Sequence, residues 1–447
     1  MSKITRRNFL KSSLAAGVTM TLLSPYSCVR GANDDIRIAV VGVGGQGSNH
    51  IDYFRNLAGV RVVALCDADK EHLDKRVEDF TKRNEKVDGY VDVRKLLEDK
   101  NIDAITTATP NFWHSLVVVW ACQAGKDVFL EKPASHNIWE GRKMVEAARK
   151  YNRLVQHGTQ SRSNRVMQEG MQKLREGIIG ELYMARGMAY KWRSSIGRIK
   201  EEAVPPGVHY DLWVGPAPRK PFARQRFHYN WHFLWDYGCG EIGNQGVHQL
   251  DIMRWGLGLN THPSRIQSMG GVYVHKDDQQ TPNTQVASYE YAGRNLLLQF
   301  DVRHWMTNHE AGIGDVYPTR GADNTVGVIF YGSDGYMVMP GYTSYYTFLG
   351  QKATPGPKKE DTGDPGANLD HFANFVRAVR SRKVSDLSAD IDEGHLSASL
   401  AHLANIAYRT RRTVNFDPTT ETFPGDEEAS RLLTRSYRAP YVVPERV

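Results

Sequence analysis

Apolar and polar positions follow two different periodic patterns along this chain. Through the first third, short apolar runs rich in β-branched residues alternate with longer stretches in which apolar residues recur at helical spacing. The predicted strands are Ile36–Val41, Val60–Cys66, Ala104–Thr107, Asp127–Leu130 and Leu154–His157, and the predicted helices are Ser48–Leu57, Lys70–Arg83, Val93–Lys100, Trp113–Ala124 and Ile138–Lys150. Strands and helices in alternation predict a doubly wound parallel sheet with helices on both faces.

Beyond this region the apolar runs become longer and richer in Tyr, Val and Ser, as in an open, mainly antiparallel sheet. The predicted strands are Leu182–Tyr190, Arg265–Val274, Val286–Tyr291, Asn295–Val302, Val326–Tyr331 and Tyr336–Met339. A Gly/Pro/Lys-rich stretch, Gly350–Gly366, is predicted to be a surface loop, and Leu369–Arg380 and Glu393–Thr410 are predicted amphipathic helices.

The length of the chain and its two patterns of apolar residues predict two domains. The first is an α/β Rossmann domain over residues 35–157, with a doubly wound parallel sheet. The second is an α+β domain over residues 158–447, with an open, mainly antiparallel β-sheet and C-terminal helices that can pack back on the first domain. An open sheet has a face that needs covering, so we expect a homo-oligomer.

The first 32 residues are typical of a twin-arginine signal peptide. The run Thr5-Arg6-Arg7-Asn8-Phe9-Leu10-Lys11 precedes an apolar stretch, Leu14–Leu23, that is too short to span a membrane, and small residues follow it. We expect export to the periplasm by the twin-arginine translocase, with cleavage after Gly31. Lipid anchoring through Cys28 is the alternative, and Pro25-Tyr26 argues against it because it spoils the lipobox.

The formal net charge of +7 is concentrated in this leader. Lys3, Arg6, Arg7, Lys11 and Arg30 carry five of the positive charges and the leader has no acidic residue, which leaves +2 for the remainder. Such a balance predicts no nucleic-acid partner. The three cysteines outside the leader are far apart and odd in number, which argues against a disulfide framework or a cysteine-based zinc site.

A glycine-rich motif follows the first predicted strand directly. Its three spaced glycines suit a tight turn, close approach of the backbone to a pyrophosphate, and close packing of helix on strand. An aspartate twenty residues later ends the second predicted strand, where it can accept hydrogen bonds from ribose hydroxyls and repel a 2′-phosphate. The motif predicts bound NAD, with NADP less favoured, contacted by Gly42, Gly44, Gly45, Gln46, Gly47 and Asp67.

Three further motifs complete a resemblance. They are Thr109-Pro110-Asn111-Phe112-Trp113-His114, the triplet Glu131-Lys132-Pro133 at a strand end, and the segment from Gly240 to Asp251. In this order and spacing, together with the glycine motif, they resemble the Gfo/Idh/MocA oxidoreductase family over nearly all of the chain after the leader. The resemblance implies that Thr109, Pro110, Asn111, His114, Glu131 and Lys132 also contact the cofactor.

The resemblance also implies a catalytic set. In the family, the lysine of the triplet touches the reacting hydroxyl, and an Asp and a His four residues later complete the proton-transfer site; these positions correspond to Lys132, Asn244 and His248. Spacing of four predicts that Asn244 and His248 share one helix face. Because Asn replaces the usual Asp, we expect His248 to be the acid/base and Lys132 to stabilise the developing alkoxide. Asp251 is expected to orient a neighbour.

Aromatic and basic residues are the candidate substrate contacts. Trp231 and Trp235 lie in an aromatic stretch, Phe227 to Tyr237, which suits either a pyranose or core packing. His228, His232 and Asp236 are spaced by four as in some metal sites, but the resemblance implies no metal. Further predicted substrate contacts are Gln160, Arg162 and Trp192, with Arg193 as another candidate and an exposed sheet-edge charge as the alternative for either arginine.

These features predict an exported enzyme that oxidises or reduces a ring hydroxyl of a sugar, glycoside or cyclitol. The periplasm offers no ready supply of NAD, so we expect the cofactor to stay bound and be regenerated in the same site. A redox-neutral glycosidase that resembles glycoside hydrolase family 109 is one alternative. A non-catalytic sugar-binding protein on the same fold is another, supported by the Asn244 departure.

Overall fold

The computed structural model describes residues 35–305, 324–361 and 367–447, without the side chains of residues 324 and 367. The predicted signal peptide, including Cys28, lies outside the described residues. Two sheets and their covering helices make up the described fold. The fold class predicted from the sequence is confirmed.

The first sheet has six parallel strands in the order β3-β2-β1-β4-β5-β6. Its strands are β1 (Ile36–Val41), β2 (Val60–Cys66), β3 (Asp88–Tyr90), β4 (Ala104–Thr107), β5 (Asp127–Leu130) and β6 (Val155–His157). The helices between them are α1 (Gly45–Arg55), α2 (Lys70–Lys82), α3 (Val93–Glu98), α4 (Asn111–Gln123) and α5 (Ile138–Lys150). Parallel strands with helical crossovers bring all the strand ends that carry the sequence motifs to one edge.

Local signals explain where these helices begin. The side chains of Asp69, Asp92 and Asn137 accept hydrogen bonds from backbone N–H groups in the first turns of α2, α3 and α5. Helix α4 is buried almost all round because it packs between the sheet and the second part of the chain. The short edge strand β3 was not predicted, since Asp88-Gly89-Tyr90 carries no apolar run.

The second sheet has nine strands in the order β14-β13-β12-β11-β7-β10-β9-β8-β15. They are β7 (Leu182–Lys191), β8 (Arg265–Gly271), β9 (Thr284–Glu290), β10 (Leu297–Arg303), β11 (Asn324–Gly332), β12 (Gly335–Pro340), β13 (Ser344–Leu349), β14 (Thr354–Glu360) and β15 (Val414–Asn415). All neighbouring pairs are antiparallel except β7 with β10.

The prediction of a surface loop over Gly350–Gly366 is wrong for the part that forms β14. This strand pairs with β13 on one side only, so its two prolines remove no hydrogen bond that a second neighbour would need. Its mostly exposed residues and its lysines are typical of an edge strand.

Seven helices accompany the second sheet in the described residues: α6 (Arg165–Arg175), α7 (Tyr210–Val214), α8 (Gly240–Asn244), α9 (Gly246–Gly256), α10 (Ala367–Ser381), α11 (Ile391–Thr410) and α12 (Glu427–Ser430). Helix α10 packs on the first sheet, where Phe372 stacks on Phe129 at 4.1 Å. Helix α11 is buried along most of its length and contacts α5, α9 and β8. The two sheets therefore share helices, which fixes the edge between them.

Two findings bear on the wider expectations. Cys66, Cys122 and Cys239 are buried and free, in line with the prediction against a disulfide framework. Across the described parts of the chain, no helix combines the length and apolar character needed to cross a bilayer.

Candidate functional site

A cavity of about 630 Å³ lies at the carboxyl ends of the parallel strands, bounded on its other side by residues of the second sheet and of α8 and α9. Ligands of doubly wound sheets bind at this edge. The predicted residues that line it are Gly42, Gly44, Gly45, Gln46, Asp67, Thr109, Pro110, Glu131, Lys132, Gln160, Trp231, Asn244 and His248. One cavity thus joins the predicted cofactor loop to the predicted catalytic residues.

The glycine loop forms one end of this cavity. Gly42 has a φ of +80°, and a Cβ at Gly47 would lie 1.7 Å from the Gly42 carbonyl oxygen. Gly47 therefore packs the helix on the strand, as predicted, without itself lining the cavity. Helix α1 begins at Gly45 with no side-chain cap, so its first N–H groups are available to a phosphate. The loop fits a dinucleotide pyrophosphate.

Asp67 lies at the same end. Its carboxylate accepts backbone N–H groups of Val43 and Asp69, each at 2.9 Å. Burial raises the pKa of Asp67, and these two hydrogen bonds oppose that rise. Beside it, His228 bonds Asp69 at 2.9 Å and its ring lies 4.5 Å from that of His72. A carboxylate enclosed by these groups can accept hydrogen bonds from ribose hydroxyls, and its negative charge disfavours a 2′-phosphate.

Glu131 positions the neighbouring groups. One oxygen of its carboxylate lies 3.0 Å from Nε2 of His50 and accepts a hydrogen bond from Nε2 of Gln46 at 3.1 Å. The other oxygen accepts a hydrogen bond from the backbone N–H of Lys132 at 3.0 Å. Although burial opposes ionisation, the bond to His50 and the nearby positive charges hold the pKa of Glu131 well below its ordinary value. Glu131 therefore ties Lys132 to the glycine loop. The part played by His50 was not predicted, because nothing in its helical position signals it.

Lys132 and Asn244 meet in the cavity. The Lys132 ammonium donates to the backbone carbonyl of Asn244 at 3.1 Å. The Asn244 amide donates to the buried carboxylate of Glu241 at 3.0 Å. An Asp at position 244 would set two carboxylates against each other at that distance, so Glu241 explains why the amide is accommodated here.

The prediction that Asn244 and His248 share one helix face is wrong. The helical run breaks at Gln245, so Asn244 ends α8 and His248 lies in the first turn of α9. Both side chains still line the cavity. Burial, reinforced by the Lys132 charge, lowers the pKa of His248 to about 3. The imidazole is therefore neutral near pH 7 and has an unprotonated ring nitrogen that can accept a hydrogen bond.

Lys191 and Arg193 also line the cavity beside Lys132. Lys191 is the last residue of β7, and Arg193 lies two residues beyond the strand. Trp192, between them, points away: it is half exposed, packs against Trp305 at 5.3 Å and lies outside the cavity lining. The structure therefore does not place Trp192 with the other predicted substrate contacts.

Arg162, another predicted substrate contact, lies outside the cavity lining. Its guanidinium makes three hydrogen bonds of 2.8–3.0 Å to the Asp251 carboxylate and a further ion pair of 3.0 Å with Glu393. Arg162 and Asp251 are both buried. The pairing occupies Nε and Nη2 of the guanidinium, and Arg162 lies outside the cavity lining, so Arg162 supports the site from behind.

The aromatic stretch divides between the cavity and the protein's packing. Trp231 lines the cavity and also stacks on His232 at 3.6 Å, so its position suits both a substrate contact and packing. Trp235 lies outside the lining, with the Arg409 guanidinium 5.1 Å from its ring centroid. The position of Trp235 therefore favours the alternative of packing over substrate contact.

Asn111 and His114 lie behind the cavity lining. His114 links the carbonyl oxygens of Pro133 and Thr109, at 2.8 and 2.9 Å. Asn111 is buried and its amide donates to the carbonyl of Ser135 at 3.4 Å. Both hold cavity-lining segments in place, and neither of these two predicted cofactor contacts lines the cavity itself.

The spaced histidines do not converge on one metal position. His228 bonds Asp69, the ring of His232 bonds the Tyr229 carbonyl at 2.5 Å, and Asp236 pairs with Lys220. Two other trios in the described chain bring three ligand atoms together, Asp69 with His72 and His228, and His262 with His395 and Glu421. In the second trio Glu421 already pairs with Arg142.

Two family models match this chain. Residues 36–159 match the GFO_IDH_MocA model described as "Oxidoreductase family, NAD-binding Rossmann fold". Residues 167–319 and 351–443 match the model described as "Oxidoreductase family, C-terminal alpha/beta domain". The first match confirms the prediction of NAD as cofactor.

Curated relatives and solved structures give a consistent picture. A "Glycosyl hydrolase family 109 protein" of Shewanella baltica is 28% identical over 209 residues, which cover 41% of this chain and 45% of that protein. The chain thus spans less than half the length of this relative.

Among solved structures, levoglucosan dehydrogenase in complex with NADH and levoglucosan has a TM-score of 0.66 and 15% identity, over 85% of this chain and 99% of that one. The WlbA dehydrogenase of Bordetella pertussis, in complex with NADH and UDP-GlcNAcA, has a TM-score of 0.62 and 19% identity, over 86% and 99%. At these identities the likeness shows a shared fold.

Proposed function

Because the chain belongs to the Gfo/Idh/MocA family of oxidoreductases, we propose that it is an NAD-dependent enzyme that oxidises or reduces a ring hydroxyl of a sugar, glycoside or cyclitol. The observation that carries the proposal is the single cavity that Asp67 and the glycine loop share with Lys132, Asn244 and His248. The solved structures with NADH and a sugar ligand on the same fold support it.

The bound nicotinamide supplies hydride transfer, so the protein supplies position and proton handling. His248 is the proton acceptor, because its neutral ring lines the cavity. Lys132 stabilises the negative charge that develops on the substrate oxygen, because its ammonium reaches the same space. Asn244 serves as a hydrogen-bonding neighbour and not as a base, since an amide cannot take the proton.

A second candidate is a redox-neutral glycosidase, favoured by the relatives named glycosyl hydrolase family 109 proteins. Oxidation of a ring hydroxyl to a ketone would acidify the neighbouring C–H. A base such as His248 would remove that proton, the glycosidic group would leave, water would add, and the ketone would be reduced again. Both candidates use the same residues, and the release of an aglycone separates them.

Export and assembly complete the proposal. The twin-arginine leader supports translocation of the folded, NAD-loaded protein to the periplasm, where the cofactor stays bound and is recycled in the site. Exposed apolar side chains on the second sheet support a homo-oligomer; examples are Met269, 80% exposed, and Val286, 43% exposed. Sedimentation of the purified protein would test this assembly, and a monomer at all concentrations would contradict it.

The decisive experiment compares Lys132→Met and His248→Asn with the native enzyme on a panel of sugars and glycosides. Both variants should keep bound NAD and lose reduction of the cofactor by the active sugar. Lys200→Gln, an exposed lysine outside the cavity, is the matched control. Sugar binding without any turnover in the native protein would instead favour a sugar-binding role.

A further inference from the structure

Two lysines in the cavity have no acidic partner. Among the residues that the structure describes, Lys132 and Lys191 form no ion pair with a carboxylate. Lys132 donates to a backbone carbonyl, and Lys191 donates to the amide oxygen of Gln245 at 2.8 Å. Both are partly buried, where a charge without a partner is costly.

The acidic groups nearby are already committed. Glu241 is buried and pairs with Arg193, whose guanidinium lies 2.7 Å from it, and it accepts the Asn244 amide as well. Glu131 takes hydrogen bonds from His50, Gln46 and the Lys132 backbone. Neither carboxylate offsets the charge of the two lysines by direct contact.

The cations also lie close enough to affect one another. Burial lowers the pKa of Lys191, and the positive charges of Arg193 and Lys132 lower it further. His248 and His232, whose pKa values burial and the Lys132 charge lower to about 3, are neutral and contribute no negative charge. The substrate end of the cavity therefore holds an excess of positive charge that an anionic ligand would neutralise.

We propose that the substrate is an anionic sugar, whose carboxylate or phosphate group binds Lys191 beside the Arg193 guanidinium while Lys132 faces the reacting hydroxyl. This inference rests on the proposed function for the assignment of Lys132. Lys191 supplies a compact charge with rotatable donors, and Arg193 is held in place by Glu241 and presents a fixed edge. The pair thus selects for charge at a position away from the reacting carbon.

The test measures binding to the NAD-loaded protein by calorimetry, using pairs that differ at one carbon. The probes are D-glucose, D-glucuronate and D-glucose 6-phosphate, with D-galactose and D-galacturonate as a second set. At least one anionic member should bind about tenfold or more tightly than its neutral counterpart. Comparison of glucuronate with glucose 6-phosphate tells a carboxylate from a phosphate.

Variants assign the effect to Lys191. Lys191→Gln should abolish the preference for the anion, Lys191→Arg should retain that preference, and Lys200→Gln should have no effect. The inference is overturned if the neutral members bind as tightly as the anionic ones, if no anionic member binds, or if Lys191→Gln keeps the preference.

Turnover separates this inference from the proposed function. Oxidation of a neutral sugar with no preference for charge would leave the proposed function standing and overturn the anionic substrate. Anion binding that depends on Lys191 but leads to no change in the cofactor would support the site and contradict the proposed function.

Discussion

Substitution of His248 by Gln should reduce the loss in the free energy of unfolding that occurs as the pH falls. The native pKa of His248 is lowered to about 3 by burial and by the Lys132 charge, against an ordinary value of 6.5. Below pH 6.5 the unfolded chain therefore binds a proton at this position and the folded chain does not. The stability that the neutral ring contributes is complete above pH 6.5 and is lost progressively as the pH falls towards 3.

The size of the effect follows from these two values. One such histidine costs the folded state about 2 kcal/mol at pH 5 relative to pH 8. Equilibrium unfolding in urea, followed by tryptophan fluorescence, gives the free energy of unfolding at each pH. The loss between pH 8 and pH 5 should be smaller in His248→Gln than in the native protein by about this amount.

His402→Gln is the matched control. His402 is buried with its pKa also lowered to about 3, but it lies against Ser135 and outside the cavity lining. It should show the same reduced loss in acid and keep full turnover, whereas His248→Gln should lose turnover by roughly 10²–10⁴-fold. If the loss of unfolding free energy between pH 8 and pH 5 is the same in His248→Gln as in the native protein, His248 is not held neutral by the fold. Its assignment as the base would then be refuted as well.

Three other changes probe separate parts of the account. Lys132→Met should lower kcat by about 10²–10³-fold with NAD content unchanged, measured by turnover and by nucleotide released on denaturation; a native kcat would contradict its role at the substrate oxygen. Arg162→Met should lower the free energy of unfolding by roughly 3–5 kcal/mol, because Asp251 stays buried without its main partner, and should leave the sugar KM unchanged; a raised KM with native stability would restore Arg162 as a contact. Gly47→Ala should abolish NAD retention, because its methyl group would lie 1.7 Å from the Gly42 carbonyl oxygen; purification with full NAD content would contradict the packing argument.

Local patterns explain which parts of the fold were predictable. The strands β1, β2, β4 and β5 were predicted with their observed bounds, because buried parallel strands are continuous apolar runs. The glycine loop was predictable because its backbone geometry demands particular residues at fixed spacing. Strand β14 was not, because its prolines and lysines are as common in loops as at a sheet edge.

The predicted site residues that lie outside the cavity owe their positions to contacts that are distant in sequence. Arg162 is taken up by Asp251, 89 residues later, and no local pattern announces that pair. Trp192 lies just beyond the end of β7 and packs against Trp305, 113 residues later, which no local pattern indicates. Glu241 lies within the motif from Gly240 to Asp251, but its ion pair with Arg193, 48 residues earlier, has no local signal.

The most direct measurement of the central claim is the near-ultraviolet absorbance of the purified protein, prepared without added nucleotide and then mixed with one sugar or glycoside at a time. The purified protein should contain bound oxidised NAD, and the reduced-nicotinamide band should appear with the active sugar and disappear with the corresponding keto-sugar. Aglycone release with no net change in the band would favour the redox-neutral glycosidase. A protein that carries no nucleotide and shows no band with any sugar when NAD is supplied would contradict the account.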